Sequence, residues 1–91
     1  MFVLVAYDIR DNDRLRQVAK VMESYGQRVQ RSIFECDVGM ETLIVMIAEL
    51  KAAMHRREDK VYVYRLCDSC RKRVKVSGKL PLMHSVDVFI V

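Results

Sequence analysis

The stretch FVLVAYDI at residues 2–9 decides the architecture. It is short, rich in Val and aromatic residues, and apolar at nearly every position, so it reads as a β-strand. Its residues do not alternate apolar with polar, which predicts that both faces of the strand are covered. The closing segment VDVFIV at 86–91 has the same character.

Working outward from the first strand, Asp11, Asn12 and Asp13 offer three candidate N-caps, and their charges suit a helix N-terminus. The spacing predicts a helix from about Asp13 to Tyr25, with Leu15, Val18, Ala19, Met22 and Tyr25 on one buried stripe. Arg14, Arg16, Gln17, Lys20 and Glu23 lie off that stripe. Gly26 reads as a helix stop in the left-handed conformation. Residues 27–38 read as extended, either one bent strand or a tight pair, because Val29, Ile33 and Phe34 do not keep one phase. Gly39 ends them.

A second helix is predicted over Met40–Met54. Its LIVMI core suits a strand equally well by propensity. Length and the following AELKAAM favour the helix. Met22, Met40, Met46 and Met54 fit packing on helix faces. Residues 55–60 form a charged loop, and Val61–Leu66 a strand with Val61 and Val63 on one face and Tyr62 and Tyr64 on the other. Residues 67–85 are basic and irregular, with Gly78 and the single proline, Pro81.

This order predicts one α+β domain over residues 1–91, a ferredoxin-like βαββαβ sandwich with an extra C-terminal strand. Two helices cover only one face of such a sheet, while the first and last strands are apolar on both. A two-fold homodimer, packed sheet to sheet, covers the second face, with the strand at about 86–91 exchanged with or added to the partner's sheet edge. A 91-residue chain buries only about 60% of its unfolded surface, so a lone protomer is marginal.

The net charge of +4 permits a polyanionic partner. Three cysteines are too few, and odd in number, for a disulfide framework, which points to a reduced, cytoplasmic chain. No apolar run approaches the roughly 20 residues of a membrane span. MFVLVAYD has neither a charged leading region nor a small-residue cleavage site, so it reads as a strand and not a signal peptide.

Asp8 is the most informative residue, a carboxylate closing an apolar strand beside Tyr7. On position alone it reads as an ordinary strand-end aspartate. Across a dimer axis one Asp8 becomes two, and Mg²⁺ takes one or two carboxylates together with water and phosphate. Such an ion would orient a water and offset charge on a scissile phosphate. Arg10, Arg14, Arg16, Lys20, Arg28 and Arg31 form a first basic group. Arg71, Lys72, Arg73, Lys75 and Lys79 form a second. Arginine forks bind phosphate bidentately, although a solvated face would carry the same charges. Cys67 and Cys70 make a lone C-x-x-C. Zinc would need two more ligands from Cys36, His55 and His84, so the pair reads as incidental. His55 and His84 receive no role.

The segments VLVAYDI at 3–9, D-x-x-R-x-R-x-V-A at 11–19, YGQRVQRSIFEC at 25–36, VYVYRLC at 61–67 and RKRVKVSG at 71–78 together resemble the CRISPR-associated protein two family, over essentially the full length. The resemblance implies ferredoxin-like dimers whose last strand crosses to the partner. It implies that Asp8, one from each protomer, binds a catalytic Mg²⁺ or Mn²⁺. Tyr7, Arg14, Arg16, Arg28 and Phe34 are implicated around that site. It further implies a dimer that bridges CRISPR integrase subunits during spacer acquisition and supports incoming DNA. Arg31, Arg71 and Arg73 complete the expected nucleic-acid-binding set.

Two functions follow from different classes. One is a metal-dependent endonuclease acting through Asp8 on duplex DNA or single-stranded RNA, and the other a non-catalytic DNA-binding scaffold of the integrase complex. An RNA-recognition domain is disfavoured because its aromatic strand signature is missing. An acylphosphatase-like enzyme is disfavoured because no glycine-rich phosphate loop follows the first strand.

Overall fold

A computed structural model describes residues 1–66 and the strand 87–90. The elements are β1 (Phe2–Asp8), α1 (Asn12–Glu23), β2 (Gly26–Gln30), β3 (Ile33–Asp37), α2 (Met40–Ala53), β4 (Lys60–Leu66) and β5 (Asp87–Ile90). They form one sheet in the order β2-β3-β1-β4-β5, with every neighbouring pair antiparallel. β3 lies between β1 and β2, and β1 lies between β3 and β4. Each βαβ unit is therefore split by a strand of the other, which is the ferredoxin-like arrangement expected. β5 runs along β4 of its own chain, with Tyr62 opposite Ile90 and Arg65 opposite Asp87.

The pleat sorts β1 into two sets. Val3, Val5 and Tyr7 face the helices and join Val61, Val63, Phe34 and Cys36 in the main core. The helices contribute Val18 and Met22 from α1 and Leu43, Met46 and Leu50 from α2. Leu4 and Leu66 are buried on the opposite face, where Phe2, Val29, Ile33 and Tyr64 pack around them. Both faces of β1 are thus apolar and covered, as the run at 2–9 required.

Two details differ from the expectations, and one open alternative is decided. α1 ends at Glu23 with Ser24 as its C-cap in right-handed geometry, so Gly26 does not stop the helix. Gly26 instead begins β2, where a Cβ would collide with the Glu35 carbonyl and meet Cys36 Sγ at 2.6 Å. Close approach of two backbones, not a left-handed turn, is what calls for glycine here. The extended region is a tight pair, with a bulge between Arg28 and Gln30 that breaks the alternation of Val29, Ile33 and Phe34. Met40 does not pack in the core: it is 56% exposed at the start of α2, beside exposed Ile44 and Val45.

Candidate nucleic-acid and metal site

The site is built where β1 ends. Asp8 follows Phe2, Leu4 and Ala6 onto the face turned away from the helices, and it is exposed. Its register partner across the sheet is Lys60, the first residue of β4 and also exposed. On the other side, the Tyr7 backbone N–H donates to the Ser32 carbonyl at 3.1 Å, so the Arg31–Ser32 hairpin turn flanks the same strand end.

Tyr7, Phe34 and Arg28 come together on the helix-bearing side. The Tyr7 and Phe34 rings stack at 6.2 Å between centroids with 25° between their planes. The Arg28 guanidinium lies 5.1 Å from the Phe34 centroid, a cation–π contact. Arg28 also donates to the Arg31 carbonyl at 2.9 Å and lies 3.8 Å from Glu23. Phe34 is buried, so it serves as the platform on which Arg28 rests at the rim. Burial raises the Tyr7 phenol above its ordinary value, partly offset by the nearby Arg28 charge. The sheet therefore separates Asp8 from the Tyr7–Phe34–Arg28 stack by face while joining them across three adjacent strands, β1, β3 and β2.

The remaining arginines fall into two situations. Arg16 is highly exposed and pairs with Asp13, one turn earlier on α1, in a solvent-screened contact. Arg14 points back to the loop before β4. Its Nε donates to Asp59 Oδ2 at 2.8 Å, and its Nη2 reaches Asp59 Oδ1 at 3.3 Å and Glu58 at 3.1 Å.

Asp59 was not singled out in the sequence. It also accepts the backbone N–H groups of Arg10 at 2.9 Å and His55 at 2.7 Å, and its side chain is wholly buried. Arg14 and these backbone donors hold its carboxyl well below the usual carboxylate range. His55 Nδ1 accepts from the backbone N–H groups of Arg57 and Glu58, both at 3.2 Å, which closes the turn. The loop is thereby fastened to the chain two residues beyond Asp8. In the sequence, Asp59 sits within HRREDK and is indistinguishable from solvated charge.

Among the described residues, no three His, Cys, Asp or Glu side chains cluster as a metal site. Asp8 offers a single hard oxygen donor, which suits an ion whose shell is filled mainly by water and phosphate. Cys36 is buried in β3, and burial pushes its thiol up to about 11, away from metal ligation or nucleophilic use. Arg71 and Arg73, the rest of the second basic group, and the Cys67–Cys70 pair lie outside the described residues. No helix among the described residues is long and apolar enough to cross a membrane.

The family model described as CRISPR associated protein Cas2 matches residues 1–74. A CRISPR-associated endoribonuclease Cas2 of Chloroflexus aurantiacus is 38% identical over 93 residues, covering all of both chains. A CRISPR-associated endonuclease Cas2 of Halalkalibacterium halodurans is 36% identical over 95 residues, covering 99% of each. The crystal structure of Streptococcus pyogenes Cas2 at pH 6.5 has a TM-score of 0.75 at 37% identity, over 81% of this chain and 95% of that one.

Proposed function

This chain belongs to the CRISPR associated protein Cas2 family, and from that premise we propose that it is a metal-dependent nuclease of CRISPR adaptation, acting as a homodimer on RNA or DNA. The observation that carries the reading is the exposed Asp8 carboxylate at the end of β1, on the helix-free face and flanked by basic residues. Two copies packed through that face bring two such carboxylates to one axis. The half-buried apolar residues Phe2, Val29, Ile33 and Tyr64 on that face support such packing.

Asp8 of each copy would hold the ion, which supplies Lewis-acid polarisation of phosphate and a lowered pKa for water. Arg31, in the turn that flanks the strand end, binds the backbone beside the scissile bond. Arg16 and Arg28 stand on the helix-bearing side and hold the backbone where it continues past the sheet edge, the Tyr7–Phe34 stack fixing where Arg28 stands. Contacts of this kind carry no sequence information, so affinity falls steeply with salt.

The test is cleavage of duplex DNA and single-stranded RNA in Mg²⁺ by wild type and Asp8→Ala, purified identically. Activity that disappears with Asp8 and with excess chelator supports the nuclease. Equal activity in both proteins sinks it. A second reading, a scaffold that binds DNA and bridges integrase subunits without cutting, is favoured because among the described residues no cluster of three metal-ligating side chains forms around Asp8. In that case Asp8→Ala leaves spacer integration intact.

A further inference from the structure

The arginine nearest the Asp8 strand end along the helix is not free to meet a phosphate. Arg14 grips Asp59, whose carboxylate is wholly buried, and shares its fork with Glu58. Moving that fork to a phosphate would leave the Asp59 charge buried and without its main partner, which is strongly unfavourable. Arg16 differs, because its pair with Asp13 is exposed on both sides and exchanges readily with another anion.

A cation that does stand beside Asp8 is Lys60. The two are direct register partners in the β1–β4 ladder. Residues so placed project from the same face with Cβ atoms about 4.5–5.5 Å apart. Both side chains are exposed, and among the ion pairs of the described residues none joins them. Lys60 follows Asp59 directly, so the brace that removes Arg14 from the surface also fixes the backbone from which Lys60 projects. A lysine ammonium is a compact point charge on a flexible stem, suited to follow a phosphate next to a carboxylate-held ion.

We infer that Lys60 is the phosphate-contacting cation at the Asp8 site, and that Arg14 is a positioning residue that acts through Asp59. The inference rests on the nucleic-acid-binding reading above. Its ligand is the phosphodiester backbone, of DNA or RNA alike.

The experiment measures binding of a short fluorescein-labelled DNA duplex by anisotropy across a salt series, with chelator present to prevent cleavage. Each lost phosphate contact removes about one unit from the slope of log K against log salt. Lys60→Ala removes this cation from both copies of the dimer and should lose about one to two units, one for each Lys60 that touches the duplex, and bind several-fold more weakly at low salt; Lys60→Arg should restore both. Arg14→Gln, which keeps a donor toward Asp59 and removes the charge, should retain the wild-type slope while melting at lower temperature. A full slope in Lys60→Ala, or a slope reduced in Arg14→Gln, overturns the inference. Wild type with no salt-dependent binding would instead remove the reading on which it rests. Lys60 is exposed, so its variants test the idea even if the Arg14 variant folds poorly.

Discussion

Asp59 is a charged group kept inside the protein by donors drawn from three places in the chain: Arg10, Arg14 and His55. Its folded-state pKa lies below the ordinary 3.8, so the unfolded chain binds the proton more readily than the native one. The stability it contributes is complete above the unfolded value and is lost as the pH falls through and below it. Melting curves recorded from about pH 7 down to about pH 3 should show wild type losing stability on the acid side. Asp59→Asn removes the charge and turns an amide toward groups that all donate. It should cost about 1–3 kcal/mol at neutral pH, with a visibly flatter acid limb. For a domain this size each kcal/mol lowers Tm by about 4–8 °C. A variant as acid-sensitive as wild type would show that other carboxylates govern that limb. This residue was illegible in the sequence because its main partner lies 45 positions away, and only the β1–β4 pairing brings them together.

At the scale of elements, the β2–β3 hairpin shows where local pattern reading stops. The two candidate arrangements for residues 27–38, one bent strand or a tight pair, differ by the turn at Arg31–Ser32, and the bulge between Arg28 and Gln30 hides the alternation that would tell them apart. A bulge is a matter of pairing partners, which periodicity along one strand does not record. Gly26 illustrates the same limit. Its place after an amphipathic helix suggested a cap, yet the reason for glycine lies across the sheet, in the Glu35 carbonyl and Cys36 sulfur. Gly26→Ala should therefore destabilise the hairpin by about 1–3 kcal/mol through overpacking. The loss should show in urea melts as a lower midpoint with an unchanged slope. A neutral outcome would mean that the two strands can part without cost. The helices were legible for the converse reason: Asp11 caps α1 by accepting the Arg14 N–H at 3.0 Å, three residues on. α2 was legible by its length and by the helix-forming AELKAAM, and Leu43, Met46 and Leu50 are the residues it buries.

For the whole molecule, element order was enough to reach the ferredoxin-like sandwich, because a two-helix, alternating chain has few ways to bury both helices on one sheet. Asp8 was legible too, as a carboxylate that closes an apolar strand, whereas Lys60 became a candidate only once β4 was registered against β1. The helix-free face carries the assembly argument. Ile33 lies there half-buried beside Leu4 and Tyr64, one strand over from the path to Asp8. A carboxylate at that position would have to be desolvated for two sheets to close on each other, at a cost of several kcal/mol per copy. Ile33→Glu should thus weaken dimerisation by at least about 100-fold, seen as a monomer by sedimentation velocity with native far-UV circular dichroism. If the nuclease needs Asp8 from both copies, that monomer should be as inactive as Asp8→Ala, although its own Asp8 is intact. Mixing the two inactive variants separates the effects further. Ile33→Glu paired with Asp8→Ala brings together at most one carboxylate per dimer, so activity should not return. Full cleavage by the Ile33→Glu monomer would show that one carboxylate suffices and that the shared-ion geometry is wrong.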